Sequence, residues 1–119
     1  ERDWLDNPLN NKISSWHYCI DDKEVIAAIP EDEIAWHTGT RKGNYSSLCV
    51  KICTLSNQEI TWQNAVKFIA DMLLKKGWDI NRIKKHQDWS GKYCPKNLIP
   101  QWDKFIRDIQ ETISYMHNL

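Results

Sequence analysis

The sequence predicts an α/β domain in which a central mixed β-sheet is flanked by helices. Three observations lead there. Short apolar runs fill the first half of the chain, two stretches of the second half carry apolar side chains at helical spacing, and Gly, Asn and Pro punctuate the joins. Strands first, then helix, strand and helix, suit a mixed sheet with covering helices.

Residues 1–12 ("ERDWLDNPLNNK") are polar and turn-rich, with Asn7-Pro8 and Asn10-Asn11 as breakers. "SSWHYCID" (14–21) reads as a strand and "KEVIAAIP" (23–30) as a second, joined by a tight hairpin turn at Asp21-Asp22. Residues 31–46, with Gly39, Gly43 and Asn44, form a long loop, and loops of that length inside a domain tend to carry function. In "SLCVKICTL" (47–55), Leu48, Val50 and Ile52 alternate with Cys49, Lys51 and Cys53, so a charged side chain sits mid-strand. From Thr61 to Lys76, Trp62, Val66, Ile69 and Leu73 keep helical spacing, with Thr61 suited to cap the start and Lys75, Lys76 and Gly77 to stop it. "DINRIKKH" (79–86) is expected to lead into a short strand, followed by a loop over 87–97. Pro100 opens a last helix whose apolar stripe is Trp102, Ile106, Ile109, Ile113 and Met116.

A chain of 119 residues can bury one hydrophobic core and is expected to be a single domain. Sixteen basic against sixteen acidic side chains leave no net charge, so neither nucleic acid nor an anionic membrane is an expected partner. No apolar run approaches the roughly 20 residues a membrane span needs. The spacing of the four Cys (19, 49, 53 and 94) matches no disulfide framework, and the thiols are expected to be reduced. Most of the seven Trp are expected in the core, with a subset available to line a sugar or peptide groove.

Three stretches carry residues fit for chemistry. In "KKHQDWSGKYCPKNL" (84–98), His86 and Cys94 are an imidazole and a thiol suited to zinc. The same pair could instead be an exposed His and a buried structural Cys flanking the turn at Gly91. Lys92, two residues before Cys94, could favour a thiolate or stabilise an oxyanion. His17, in "SSWHYCID", is either packed beside the sheet or a third donor. In "AWHTGTRKGNYSS" (35–47), Trp36 and His37 offer an aromatic platform and an imidazole, or else a buried Trp anchors the loop. His117 fits a solvated helix end.

Taken in order, "SSWHYCIDDKEVIAAIPEDEIAWHTG", "NYSSLCVKIC" and "HQDWSGKYCP" resemble the zinc-dependent N-acetylmuramoyl-L-alanine amidases of phage endolysins and bacterial autolysins, whose fold is shared with animal peptidoglycan-recognition proteins. The resemblance implies that residues 1–119 are an amidase catalytic domain. It implies Zn²⁺ held by two His and one Cys, with an open water position. His86 and Cys94 match the second and third ligands, Lys92 matches a Lys that assists catalysis, and Trp36, His37 and Gly39 match the loop bordering the substrate groove. The implied reaction hydrolyses the amide joining N-acetylmuramic acid to L-alanine in peptidoglycan, at the bacterial cell wall.

Two departures accompany the resemblance. Its first ligand, a His on an early strand, has no match in residues 1–13. The chain opens on Glu1 and not Met, so an N-terminal segment carrying that strand is expected upstream, and a separate cell-wall-binding domain could also be attached. His17 matches a position that is not a ligand. Lys51 stands where many members have a Glu that serves as base or positions water, and Cys49 where Gly is usual. Two alternatives follow: a peptidoglycan-binding module with impaired catalysis, or one fragment of a split amidase.

Overall fold

A computed structural model describes residues 16–35, 47–53, 57–85, 87–88, 91 and 98–118. Expectations for residues 1–15 and 36–46, for the end of the 47–55 run and for 92–97 lie outside the described residues.

The hairpin forms where turn chemistry places it. Strand β1 (Tyr18–Ile20) runs antiparallel to β2 (Val25–Ala27), with Cys19 opposite Ile26. Between them the Asp21 carboxylate accepts from the backbone N–H groups of Lys23 and Glu24, both at 2.8 Å. Those two bonds pull the Asp21 carboxyl below its ordinary pKa and hold the turn without glycine. On its other side β1 pairs in parallel with β3 (Val50–Ile52), Cys19 lying opposite Lys51. The strand order β2-β1-β3 makes the sheet mixed, as the strand-first pattern predicts.

The long helix, α1 (Gln58–Lys76), begins earlier than its apolar spacing suggests. Its cap is Asn57, whose side chain accepts from the Ile60 N–H at 3.2 Å. Thr61, expected at the cap, lies inside the helix and is buried. The stop is where the sequence puts it: Gly77 adopts φ 69°, and its N–H turns back to carbonyls of the last turn. That left-handed conformation costs a side chain and is free to glycine.

The strand expected within 79–86 is absent from the described residues 79–85. Asp79 instead caps a 3₁₀ turn at Ile80–Arg82, accepting from the Asn81 N–H at 2.9 Å. Ile80 and Ile83, three apart, stack on one side of that turn and pack against the core. A second 3₁₀ turn, Ile99–Gln101, carries Pro100 into α2 (Trp102–His117). The buried positions of α2 are Phe105 and Ile109. Phe105, outside the expected stripe, is buried with Ile109, while Ile106 of the stripe is half-buried.

One apolar cluster joins the layers. Ile20 of β1, Ala65, Val66, Ala70 and Leu73 of α1, Leu98, and Phe105 and Ile109 of α2 are buried together, with Val50 and Ile52 packed against them. Trp62 meets the edge of Phe105 at 5.1 Å between centroids, and Trp62 Nε1–H donates to the Asp108 carboxylate at 2.8 Å. Both helices thus cover the face of the sheet that carries Ile20, Val50 and Ile52. Alternation turns His17, Cys19, Cys49, Lys51 and Cys53 to the opposite face. Among the described residues, no helix is long and apolar enough to cross a membrane.

Candidate metal and substrate site

The six residues singled out by sequence as site candidates, Trp36, His37, Gly39, His86, Lys92 and Cys94, lie outside the described residues. The structure describes the points from which their segments depart. Ala35, fully buried, ends the described chain before the Trp36–Gly39 segment. Before it, Glu31 accepts from Lys76 Nζ at 2.8 Å and from the Tyr18 hydroxyl. This ties the departing loop to the end of α1 and to β1. The hydrogen bond to Glu31, then burial and the carboxylate charge, push the Tyr18 hydroxyl up to about 12. Lys76 and then Tyr18 draw the Glu31 carboxyl below its ordinary pKa.

The segment carrying His86, Lys92 and Cys94 is framed in the same way. The Asp88 carboxylate accepts from the Lys85 N–H at 2.8 Å while the Asp88 N–H returns to the Lys85 carbonyl at 3.0 Å. Gly91 has φ 81°, the left-handed value expected of a glycine in this loop, and its N–H reaches the Gln87 carbonyl at 2.9 Å. Leu98 re-enters the core beyond the loop. The chain is therefore pinned on both sides of the proposed ligand pair.

His17 is resolved as a structural bridge. Its side chain is buried at 1 % exposure. Nδ1 accepts from the Cys49 N–H at 2.9 Å, which places the proton on Nε2, 2.6 Å from the Glu33 carbonyl. Both ring nitrogens are engaged by backbone, which removes His17 as the third metal donor and agrees with its non-ligand match. His117 lies exposed at the end of α2. Among the described residues, no group of three or more His, Cys, Asp or Glu side chains could hold a metal ion.

Lys51 occupies the sheet face opposite the helices, and its ammonium lies 4.1 Å from the centroid of the buried Trp16 ring. A cation over an indole face is an attractive pairing, so the mid-strand charge has an aromatic seat. On the same face the Cys19 and Cys53 sulfurs are 3.3 Å apart, with no disulfide between them. Alternation places Cys53 on the face of Lys51, but the register that sets Lys51 opposite Cys19 is visible only in the structure.

A family model described as N-acetylmuramoyl-L-alanine amidase matches residues 1–97. Among curated relatives, N-acetylmuramoyl-L-alanine amidase CwlA of Bacillus subtilis is 40% identical over 99 residues, covering 77% of this chain and 36% of the relative. XlyB of the same organism is 38% identical over 114 residues, covering 88% of this chain and 36% of the relative. The chain thus spans about a third of the length of these relatives. The solved catalytic domain of XlyA superposes with a TM-score of 0.83 at 30% identity, covering 91% of this chain and 72% of that one. The family match over most of the chain and the shared arrangement of sheet and helices agree, and the chain belongs to the N-acetylmuramoyl-L-alanine amidase family.

Proposed function

We propose that this chain hydrolyses the amide between N-acetylmuramic acid and the L-alanine of the peptidoglycan stem peptide, at the bacterial cell wall. The observation that carries the reading is the family match over residues 1–97, which spans the three blocks quoted from the sequence. Zn²⁺ is the implied cofactor. An imidazole and a thiolate are donors that zinc accepts, so the chemistry of His86 and Cys94 fits the ion, and these two residues would hold it. When bound, the ion supplies Lewis acidity to the scissile carbonyl and lowers the pKa of water. Lys92 sets a positive charge beside the carbonyl oxygen and stabilises the oxyanion that develops on it. Trp36, His37 and Gly39 border the groove and orient the muramyl peptide, Trp36 by stacking and His37 by hydrogen bonding.

Metal analysis tests the ligand assignment separately from turnover. The zinc-supplemented protein should carry about one zinc per chain, and Cys94→Ser should lose it. Equal zinc in the variant would remove Cys94 from the site. Release of stem peptide from a muramyl peptide tests the reaction itself, and a zinc-loaded protein that releases none would refute it.

The seat of Lys51 on Trp16 favours a second reading, a wall-binding module with impaired turnover. A cation held at this strand position cannot accept a proton from water, as a carboxylate could. On that reading Lys51→Glu raises stem-peptide release at least tenfold, a barrier difference of about 1.4 kcal/mol. An unchanged rate would show that the position takes no part in the chemistry.

A further inference from the structure

We infer that Cys19 and Cys53 form a dithiol site that closes to a disulfide by exchange with a small-molecule disulfide such as oxidised glutathione. The sulfurs are 3.3 Å apart, about 1.3 Å beyond bonding length. Their closeness is enforced by backbone. Cys19 lies in β1 opposite Lys51 of β3, and the Cys53 N–H donates to the Ile20 carbonyl at 2.9 Å, extending the same ladder past the end of the strand. Alternation sets Cys53 on the face that carries Lys51, where Cys19 also points. Cys49 shares that face, but four residues of extended chain, about 13 Å, separate it from Cys53, well beyond the reach of a disulfide.

Unequal exposure orders the two steps. Cys53 is half-buried and Cys19 is buried at 8 % exposure. The Cys53 thiolate attacks one sulfur of the small disulfide, forming a mixed disulfide and expelling one thiolate. Cys19 then attacks the Cys53 sulfur and expels the second. The protons released by Cys19 and Cys53 end on the two small thiols, so one disulfide is reduced as one is formed. The product ties β1 to the end of β3, two residues from Lys51 and next to the start of α1, where Gln58 Nε2–H already donates to the Cys53 carbonyl at 3.2 Å. The inference depends on neither zinc nor turnover.

The test uses the zinc-supplemented chain, incubated with oxidised glutathione at about pH 8, where thiolates are available. Intact mass should fall by about 2 Da, the two hydrogens lost on closure. Non-reducing peptide mapping should join Cys19 to Cys53. Thermal midpoint should rise by about 5 °C or more over the reduced protein, because the cross-link constrains the unfolded chain. Cys53→Ser should abolish mass loss and shift together, while Cys19→Ser should accumulate a glutathione adduct on Cys53. The inference is overturned by a wild-type adduct on Cys53 that never closes, or by a cross-link through Cys49 or Cys94. It is equally overturned if both thiols stay unreacted in the folded chain while reacting in urea.

Discussion

Replacing His17 by Phe keeps a planar ring of similar size and removes both ring nitrogens. In the native chain the imidazole accepts from the Cys49 N–H and donates to the Glu33 carbonyl at 1 % exposure. The variant leaves both backbone groups without that partner, each at about 1–3 kcal/mol. The more apolar ring recovers part of this, and its larger volume costs some in a tight site. The expected net loss is about 2–4 kcal/mol, a large fraction of a stability of about 5–15 kcal/mol. His17→Gln should cost less than His17→Phe, since a Gln amide can still donate to Glu33. Urea unfolding followed by far-ultraviolet circular dichroism reads the loss as a lower midpoint at unchanged slope. Zinc content, measured on variant kept folded in the cold, should match the wild type. A His17→Phe protein within about 0.5 kcal/mol of the wild type would refute the bridging role. Retained stability with lost zinc would instead restore His17 as a ligand.

Phe105→Ala should cost about 3–5 kcal/mol in thermal unfolding, because the ring is 1 % exposed and meets Trp62 and Trp102 at 5.1 and 5.7 Å; a cost below about 1 kcal/mol would show that the helices repack freely. The Tyr18–Glu31–Lys76 cluster predicts a pH-limited contribution to stability. Glu31 has its folded pKa lowered, so its share is present above the ordinary carboxyl range and is lost as pH falls through the folded value. Tyr18 is raised to about 12 from 10.0, so its share is full below pH 10.0 and is lost as pH rises toward 12. Tyr18→Phe should therefore be less stable than wild type near neutral pH and converge with it at both extremes; a difference constant across pH would show that the hydroxyl's contribution does not depend on the charge of Glu31.

The parts of the fold legible in sequence are those set by local chemistry. Asp21 marks the hairpin because one carboxylate can hold two neighbouring N–H groups, and Gly77 marks the helix stop because a left-handed residue is needed there. The misreadings have equally local causes. The first turn of α1 is solvent-facing, so its apolar stripe begins at Trp62 and hides the cap at Asn57. In α2 the choice between Phe105 and Ile106 depends on which face the sheet and α1 leave open, and spacing alone does not state it. Ile80 and Ile83 have the period of a 3₁₀ turn, which over so short a stretch resembles a strand. Of the candidate site, sequence supplies the residue types and the glycine turn at Gly91. His17 needed its neighbours from 32 residues away before its role could be read.

The placement of α2 bears on how this domain could be joined to other modules. The family match ends at residue 97, yet Leu98, Phe105 and Ile109 fill the same core as Ile20 and Leu73. A fusion whose seam lay at that family boundary would discard buried side chains and leave apolar surface on α1 open to water. A seam after residue 118 keeps the described core whole, and expression yield of the two fusions would report the difference.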